Sequence, residues 1–310
     1  MEILVAKHAG FCFGVKRAID IAEQVAEKHQ DKTYVYGQLV HNERVISELQ
    51  QKGIHFVETI EQIPDEAITV LRAHGEPGTT YQKLEKKSIS KNNTLFDATC
   101  PLVTLVHNVA VKLKNNGYEV LLFGKRNHPE GIGIGYHLKG EETFFIEKTE
   151  DAVHAVEYIK KNNFPKVAII SQTTMSVDGY RQLMQTINHE MKQQFKEMHL
   201  SMQSLQEPYV YVDTICNPTK QRQIDTEEIA KKADVMIVIG GKNSSNTKEL
   251  VAKSKSFGVE TYFVQDAEQI EKAWLAEKNT IGISAGASTP DSTIQEVVSK
   301  VKALGKEHGL

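Results

Sequence analysis

Ten short apolar runs punctuate the chain: ILVA (3–6), TYVYG (33–37), ITVLRA (68–73), TLFDA (94–98), EVLLFG (119–124), VAIIS (167–171), YVYVD (209–213), VMIVIG (235–240), TYFV (261–264) and TIGIS (280–284). They are too short for helices and rich in β-branched and aromatic residues, which predicts strands. Between them, stretches such as VKRAIDIAEQVAEK, LVTLVHNVAVKLKNN and RQIDTEEIAKKA place apolar residues at intervals of three and four, the signature of amphipathic helices. Nearly continuous apolar strands need covering on both faces, so the pattern predicts an α/β fold with parallel sheets. The longest helical candidate runs from about Gly179 to Ser204 and holds Met184, Met191, Met198 and Met202 at helical spacing, residues best read as core. Pro208 marks the restart into the next strand.

The strand and helix plan repeats three times. Cys12, Cys100 and Cys216 each stand where an apolar run gives way to a helical one. A second apolar run in each copy ends in a polar cluster: His41-Asn42, His128-Pro129-Glu130, and Ser244-Ser245-Asn246. His41, His128 and Ser245 lie 29, 28 and 29 residues beyond their cysteines. A third run delivers His74 in RAHG, Thr173 in SQTT and Ser288 in SAGAS, at offsets of 62, 73 and 72. Detecting such a repeat precedes any local reading. It predicts three lobes, at 14–98, 99–208 and 209–310, with residues 1–13 completing the third. Ligands of parallel α/β sheets gather at the carboxyl ends of strands, and every cluster named above occupies such a position.

The 310 residues are 40% hydrophobic and 25% charged, enough for a substantial core. A net charge of −3, with lysines scattered along helical faces, argues against nucleic acid as a partner. The apolar run in MEILVAKHAGF is too short for a secretion signal, and no stretch approaches a membrane span, so a cytoplasmic location is expected. In that setting three widely spaced cysteines argue for metal ligation or catalysis rather than disulfides.

A single cysteine in such a chain is most often a small buried hydrophobe. Three at equivalent helix starts, each beside glycine or proline, point elsewhere. Helix starts supply N–H groups and a positive dipole end that favour a thiolate. Three thiolates leave a tetrahedral metal with one open position, as zinc or as one iron of an iron-sulfur cluster. Separations of 88 and 116 residues exclude a local zinc knuckle and fit the wider cluster better, although distant residues also build zinc sites.

The loop GGKNSSNTKEL reads as an anion cradle ahead of a helix, or as an ordinary N-cap. With His41, His74 and Ser288 it makes a pocket of neutral or switchable donors. Glu130 is different, because a buried carboxyl near anions has its pKa raised towards that of a working acid. Thr173 is the favoured hydroxyl partner, with Thr174 the alternative.

FCFGVKRAI (11–19), GQLVHN (37–42), RAHG (72–75), DATCP (97–101), NHPE (127–130), SQTTMSVD (171–178), ICNPTKQRQ (215–223), KNSSNTKEL (242–250) and SAGAS (284–288) together resemble the 4-hydroxy-3-methylbut-2-enyl diphosphate reductases, the LytB or IspH family. The resemblance runs from near residue 1 to about residue 300. It implies three α/β lobes in a pseudo-threefold trefoil around one central 4Fe-4S cluster held by Cys12, Cys100 and Cys216, with one iron site open. It further implies an allylic diphosphate substrate, an external electron donor such as ferredoxin or flavodoxin, and the closing step of the methylerythritol phosphate route to isoprenoids. His41, His74, His128, Ser244, Ser245, Asn246 and Ser288 would hold the diphosphate, with Thr173 and Glu130 near the departing hydroxyl and His128 also taking part in catalysis. The chain departs from the pattern at Glu76, where an apolar residue is expected, and at Gly131, where a β-branched residue is common. The alternative from another class is a zinc-dependent hydrolase or lyase acting on a phosphorylated substrate.

Overall fold

A computed structural model describes residues 1–91, 94–200 and 207–306. The first stretch of chain forms β1 (Glu2–Val5), α1 (Phe13–His29), β2 (Thr33–Tyr36), α2 (Glu43–Gln51), β3 (Ile54–Val57), β4 (Ile68–Leu71), α3 (Gly78–Lys91) and β5 (Thr94–Asp97). The middle forms α4 (Pro101–Asn115), β6 (Glu119–Phe123), α5 (Pro129–His137), β7 (Phe145–Ile146), α6 (Ala152–Asn162), β8 (Val167–Ser171), α7 (Val177–Met191), β9 (Lys196–Met198) and β10 (Tyr209–Val212). The last stretch forms α8 (Asn217–Ala230), β11 (Val235–Ile239), α9 (Ser245–Lys255), β12 (Glu260–Val264), β13 (Thr280–Ala285) and α10 (Asp291–Lys306). All ten strands expected from the apolar runs are present, and the class is α/β with parallel sheets.

The chain gathers into two compact units. The first comprises residues 1–31, 38–56 and 217–310. Its sheet has the order β1-β13-β11-β12, parallel throughout, with Glu2–Val5 of β1 in register with Thr280–Ile283 of β13. Val235, Ile237, Ile239, Ile281 and Ile283 pack against Ile294, Val297 and Val301 of α10.

The second unit comprises residues 32–37 and 57–216 and contains two sheets. One pairs β2, β4 and β5 in parallel. The other has the order β7-β6-β8-β10-β9, also parallel. Alternate residues of its central strands serve opposite faces, as the two-residue period of a strand requires. Leu121, Phe123 and Ile169 meet Ala155, Val156 and Ile159 of α6 and Leu183 and Ile187 of α7. Val120, Leu122, Ile170 and Val210 meet Val106, Val109 and Leu113 of α4. Each such side chain contributes about 1.5–3 kcal/mol when fully buried, so these faces fix where the strand ends point.

The long helix expected from Gly179 to Ser204 is shorter. The helix α7 stops at Met191, where Lys192 takes a left-handed conformation (φ 51°) and its N–H caps Asn188 and His189 carbonyls. The Asn188 side chain accepts the Phe195 N–H at 2.9 Å, and Phe195, 1% exposed, turns into the core. Burying that ring outweighs another helical turn, and the chain resumes as β9 beside β10. Met184 is core, Met191 and Met198 pack at its margins, and Met202 and Ser204 lie outside the described residues. No helix among the described residues is long and apolar enough to cross a membrane.

Candidate active site

The second unit carries His74, Cys100, His128, Glu130, Thr173 and Cys216; the first carries Cys12, His41, Ser244, Ser245, Asn246 and Ser288. Glu130 is fixed early in α5, whose Pro129 supplies a preset φ without a wasted N–H. Its carboxyl is 1% exposed. Oε1 accepts the Thr173 N–H at 2.7 Å and Oε2 meets the Thr173 hydroxyl at 2.9 Å. Thr174 instead accepts a long contact from Gln172. Burial pushes the Glu130 pKa up to about 7, against the opposing pull of the Thr173 and Gln172 hydrogen bonds. The group therefore exchanges protons near neutrality while one oxygen stays anchored to the backbone.

His128 is the N-cap of α5. Its Nδ1 accepts the Glu130 N–H at 3.1 Å and the Gln172 amide at 2.9 Å. The Gln172 oxygen accepts the Lys125 N–H at 3.2 Å, which orients its amide nitrogen toward His128. Two donors on Nδ1 place the proton of the neutral ring on Nε2, making that atom a donor. The His74 ring stands edge-on to His128 with centroids 5.5 Å apart. Gln172, wholly buried, is thus a site residue that the sequence reading passed over inside its own SQTT motif.

In the first unit, the His41 carbonyl is a meeting point. It accepts the Ser288 hydroxyl at 3.1 Å and lies where a Cβ on Gly241 would come within 2.3 Å, so only glycine admits the GGKNSSN loop to this position. Nδ1 of His41 pairs with the Gln38 side-chain oxygen at 3.0 Å, and Asn42 caps α2 through the Arg44 and Val45 N–H groups. The Ser244 hydroxyl accepts the Thr247 N–H and caps α9. That leaves Asn246, 3% exposed, with both side-chain polar atoms buried and unpartnered. A buried amide in that condition costs about 1–3 kcal/mol unless something pairs with it, and a ligand oxygen at the helix start meets the need.

None of the three cysteines is in a disulfide, and each is half-buried. Each backbone N–H is tied to a turn bearing another candidate residue. Cys12 donates to Ala287, beside Ser288, at 3.0 Å; Cys100 to Ala73, beside His74, at 2.9 Å; and Cys216 to Thr173 itself, at 3.1 Å. Arg222 of α8 adds a brace to the first, donating to the Gly10 carbonyl at 2.6 Å, while Asp225 receives the His8 N–H and ring. The buried face of α8 carries Arg222, Gln223, Asp225 and Thr226 rather than the apolar stripe expected of RQIDTEEIAKKA.

The family model described as LytB protein matches residues 3–302. The chain belongs to the LytB family. It is 39% identical over 305 residues to a 4-hydroxy-3-methylbut-2-enyl diphosphate reductase of Campylobacter concisus, covering 98% of this chain and 100% of that one. The identity is 36% over 310 residues to the enzyme of the same name from Caldanaerobacter subterraneus, covering 99% of each. Among solved structures, the E-1-hydroxy-2-methyl-but-2-enyl-4-diphosphate reductase of Plasmodium falciparum aligns with a TM-score of 0.83 at 29% identity, over 96% of this chain and 87% of that one.

Two departures of this LytB chain now have physical descriptions. A Cβ on Gly131 would stand 2.2 Å from the Lys125 carbonyl oxygen, so the β-branched residue expected there has no room. Glu76, in place of an apolar residue, is buried against Arg72. Desolvation raises the Glu76 pKa, and the Arg72 cation opposes that shift.

Proposed function

We propose that this LytB protein reduces 4-hydroxy-3-methylbut-2-enyl diphosphate to isopentenyl and dimethylallyl diphosphate, closing the methylerythritol phosphate route, as the names of its relatives indicate for them. The observation that carries the reading at the level of residues is the tie between each cysteine N–H and a turn bearing Ser288, His74 or Thr173. The donor set of three cysteines outside any disulfide, each at the start of a helix, fits a 4Fe-4S cluster with one iron left without a protein ligand. When bound, such a cluster supplies electrons and a Lewis-acidic iron.

The protein's own part is binding and proton delivery. Asn246, Ser245, Ser244, Ser288, His41, His74 and His128 would hold the diphosphate. Such donors would act mainly by positioning the anion. The allylic C–O bond breaks, two electrons enter, one proton leaves with the hydroxyl as water, and a second goes to carbon. Placing that second proton at one end or the other of the allylic system gives the two products. For the first, Glu130 protonated at Oε2 donates to the Thr173 oxygen, and the Thr173 hydroxyl passes its own proton onward. His128, with its proton on Nε2, orients the same region. Reducing equivalents come from an external carrier of the ferredoxin or flavodoxin kind.

The named relatives are reductases, which leaves the zinc hydrolase or lyase reading without support. Anaerobic purification followed by metal and acid-labile sulfide analysis separates the two. About four irons with a matching amount of sulfide per chain are expected, together with dithionite- and viologen-driven conversion of the substrate. One zinc and no sulfide would end the reductase reading.

A further inference from the structure

Arg72 and Glu76 bracket His74 in the turn that leaves β4. The Arg72 Nε meets Oε1 of Glu76, whose side chain is 1% exposed against 16% for the arginine, and Thr80 adds a hydrogen bond to the carboxylate. The guanidinium also lies 5.6 Å above the Tyr36 ring. It presses on Gly37, where a Cβ would come within 2.6 Å of Nη1 and where φ is +70°. Gly37 opens the GQLVHN segment that leads to His41. Within the same turn, Gly75 adopts a φ of +76°, and the Ala73 carbonyl receives the Cys100 N–H. One ion pair therefore underlies the turn of His74, Gly37 and the seat of Cys100.

A buried carboxylate persists only where a cation and hydrogen bonds compensate its lost hydration. Arg72 gains equally, because without Glu76 its charge would be left largely buried and unpaired. We propose that Glu76 is a positioning residue for the substrate diphosphate: it pins Arg72 so that the turn bearing His74 keeps its place against Gly37 and the seat of Cys100. By occupying the guanidinium, it also withholds that cation from the anion. The diphosphate then meets histidine, serine and asparagine donors, although an arginine lies two residues from His74. The proposal rests on the reductase reading, and it goes beyond that reading in giving a task to a residue that touches no substrate.

The test is calorimetric binding of inorganic pyrophosphate to the cluster-loaded protein, alongside KM and kcat. Glu76→Gln is expected to weaken pyrophosphate and raise KM together by about 10-fold, the usual scale for losing a residue that supports a ligand-holding one, with kcat within about 2-fold. Glu76→Asp should recover most of the loss. If Glu76→Gln does not fold, the apolar pair Arg72→Met with Glu76→Leu removes the unpaired charge and should show the same weakened binding. Wild-type pyrophosphate affinity in a folded Glu76→Gln, or in the double variant, overturns the proposal. Failure of the unmutated protein to bind pyrophosphate at all would strike the reductase reading itself.

Discussion

At the residue scale, burial brings Glu130 into the neutral pH range. Its pKa rises from 4.5 to about 7 on folding because burial disfavours the charge. The folded protein thus holds this proton more tightly than the unfolded chain does. The associated stability is fully present below about pH 4.5 and is lost as pH rises through about 7. It amounts to about 3 kcal/mol from the linkage relation. Glu130→Gln should flatten that part of the stability profile in denaturant titrations between pH 5 and 8, and should lower turnover by about 100-fold or more. Near-normal turnover would remove Glu130 from proton delivery. The sequence signalled Glu130 because a carboxyl stood out among neutral donors. It did not signal Gln172, whose role depends on a Lys125 N–H from a strand's end turning its amide toward His128. It left the GGKNSSNTKEL loop as an anion cradle or an N-cap; Ser244 caps the helix, and Asn246 keeps two unpaired atoms.

At the element scale, the central strands were legible because they are apolar on both faces. The edge strands β3, β7 and β9 were not. The first is only partly buried, the second has two residues, and the third, Lys196–Met198, is polar enough to continue the pattern of the helix before it. The end of α7 was hidden for a related reason: the burial of Phe195 that stops the helix is a tertiary event, and local periodicity holds no record of it. The packing of α5 is equally invisible in sequence. Gly131 faces the Lys125 carbonyl, and a Cβ on Gly133 would approach the His107 ring within 3.2 Å. His107 is in turn held neutral by burial, its pKa lowered to about 4. Gly131→Val should force the first turn of α5 away from Lys125 and carry Glu130 with it. A loss of about 1–3 kcal/mol is expected in thermal or chemical unfolding, together with reduced turnover; unchanged unfolding would show that the loop yields freely.

At the scale of the whole molecule, the proposed ligand set draws one cysteine from each of three distant stretches of chain. The threefold repeat made this visible, since each cysteine recurs at the same step of the same plan. It did not reveal that each cysteine amide is bonded to a turn ending a different strand: Cys12 to the turn after β13, Cys100 to the turn after β4, and Cys216 to the turn after β8. Because no fourth protein thiol exists, Cys12→Ser, Cys100→Ser and Cys216→Ser should each abolish the broad absorbance near ~400 nm of an oxidised cluster. Anaerobic spectra of all three variants check this, and a variant retaining full absorbance would strike that cysteine from the ligand set.

Those amide ties also set a limit on what the enzyme can learn to accept. A bulkier alcohol asks a turn to step aside, and the turn takes a sulfur with it. In the proposed ligand set those sulfurs would hold metal, and because metal–sulfur bonds tolerate little stretch, inorganic bond lengths would rule the permitted girth of the guest from behind. Variants selected for larger guests should gain room by trimming side chains and leave the course of these three turns as it is.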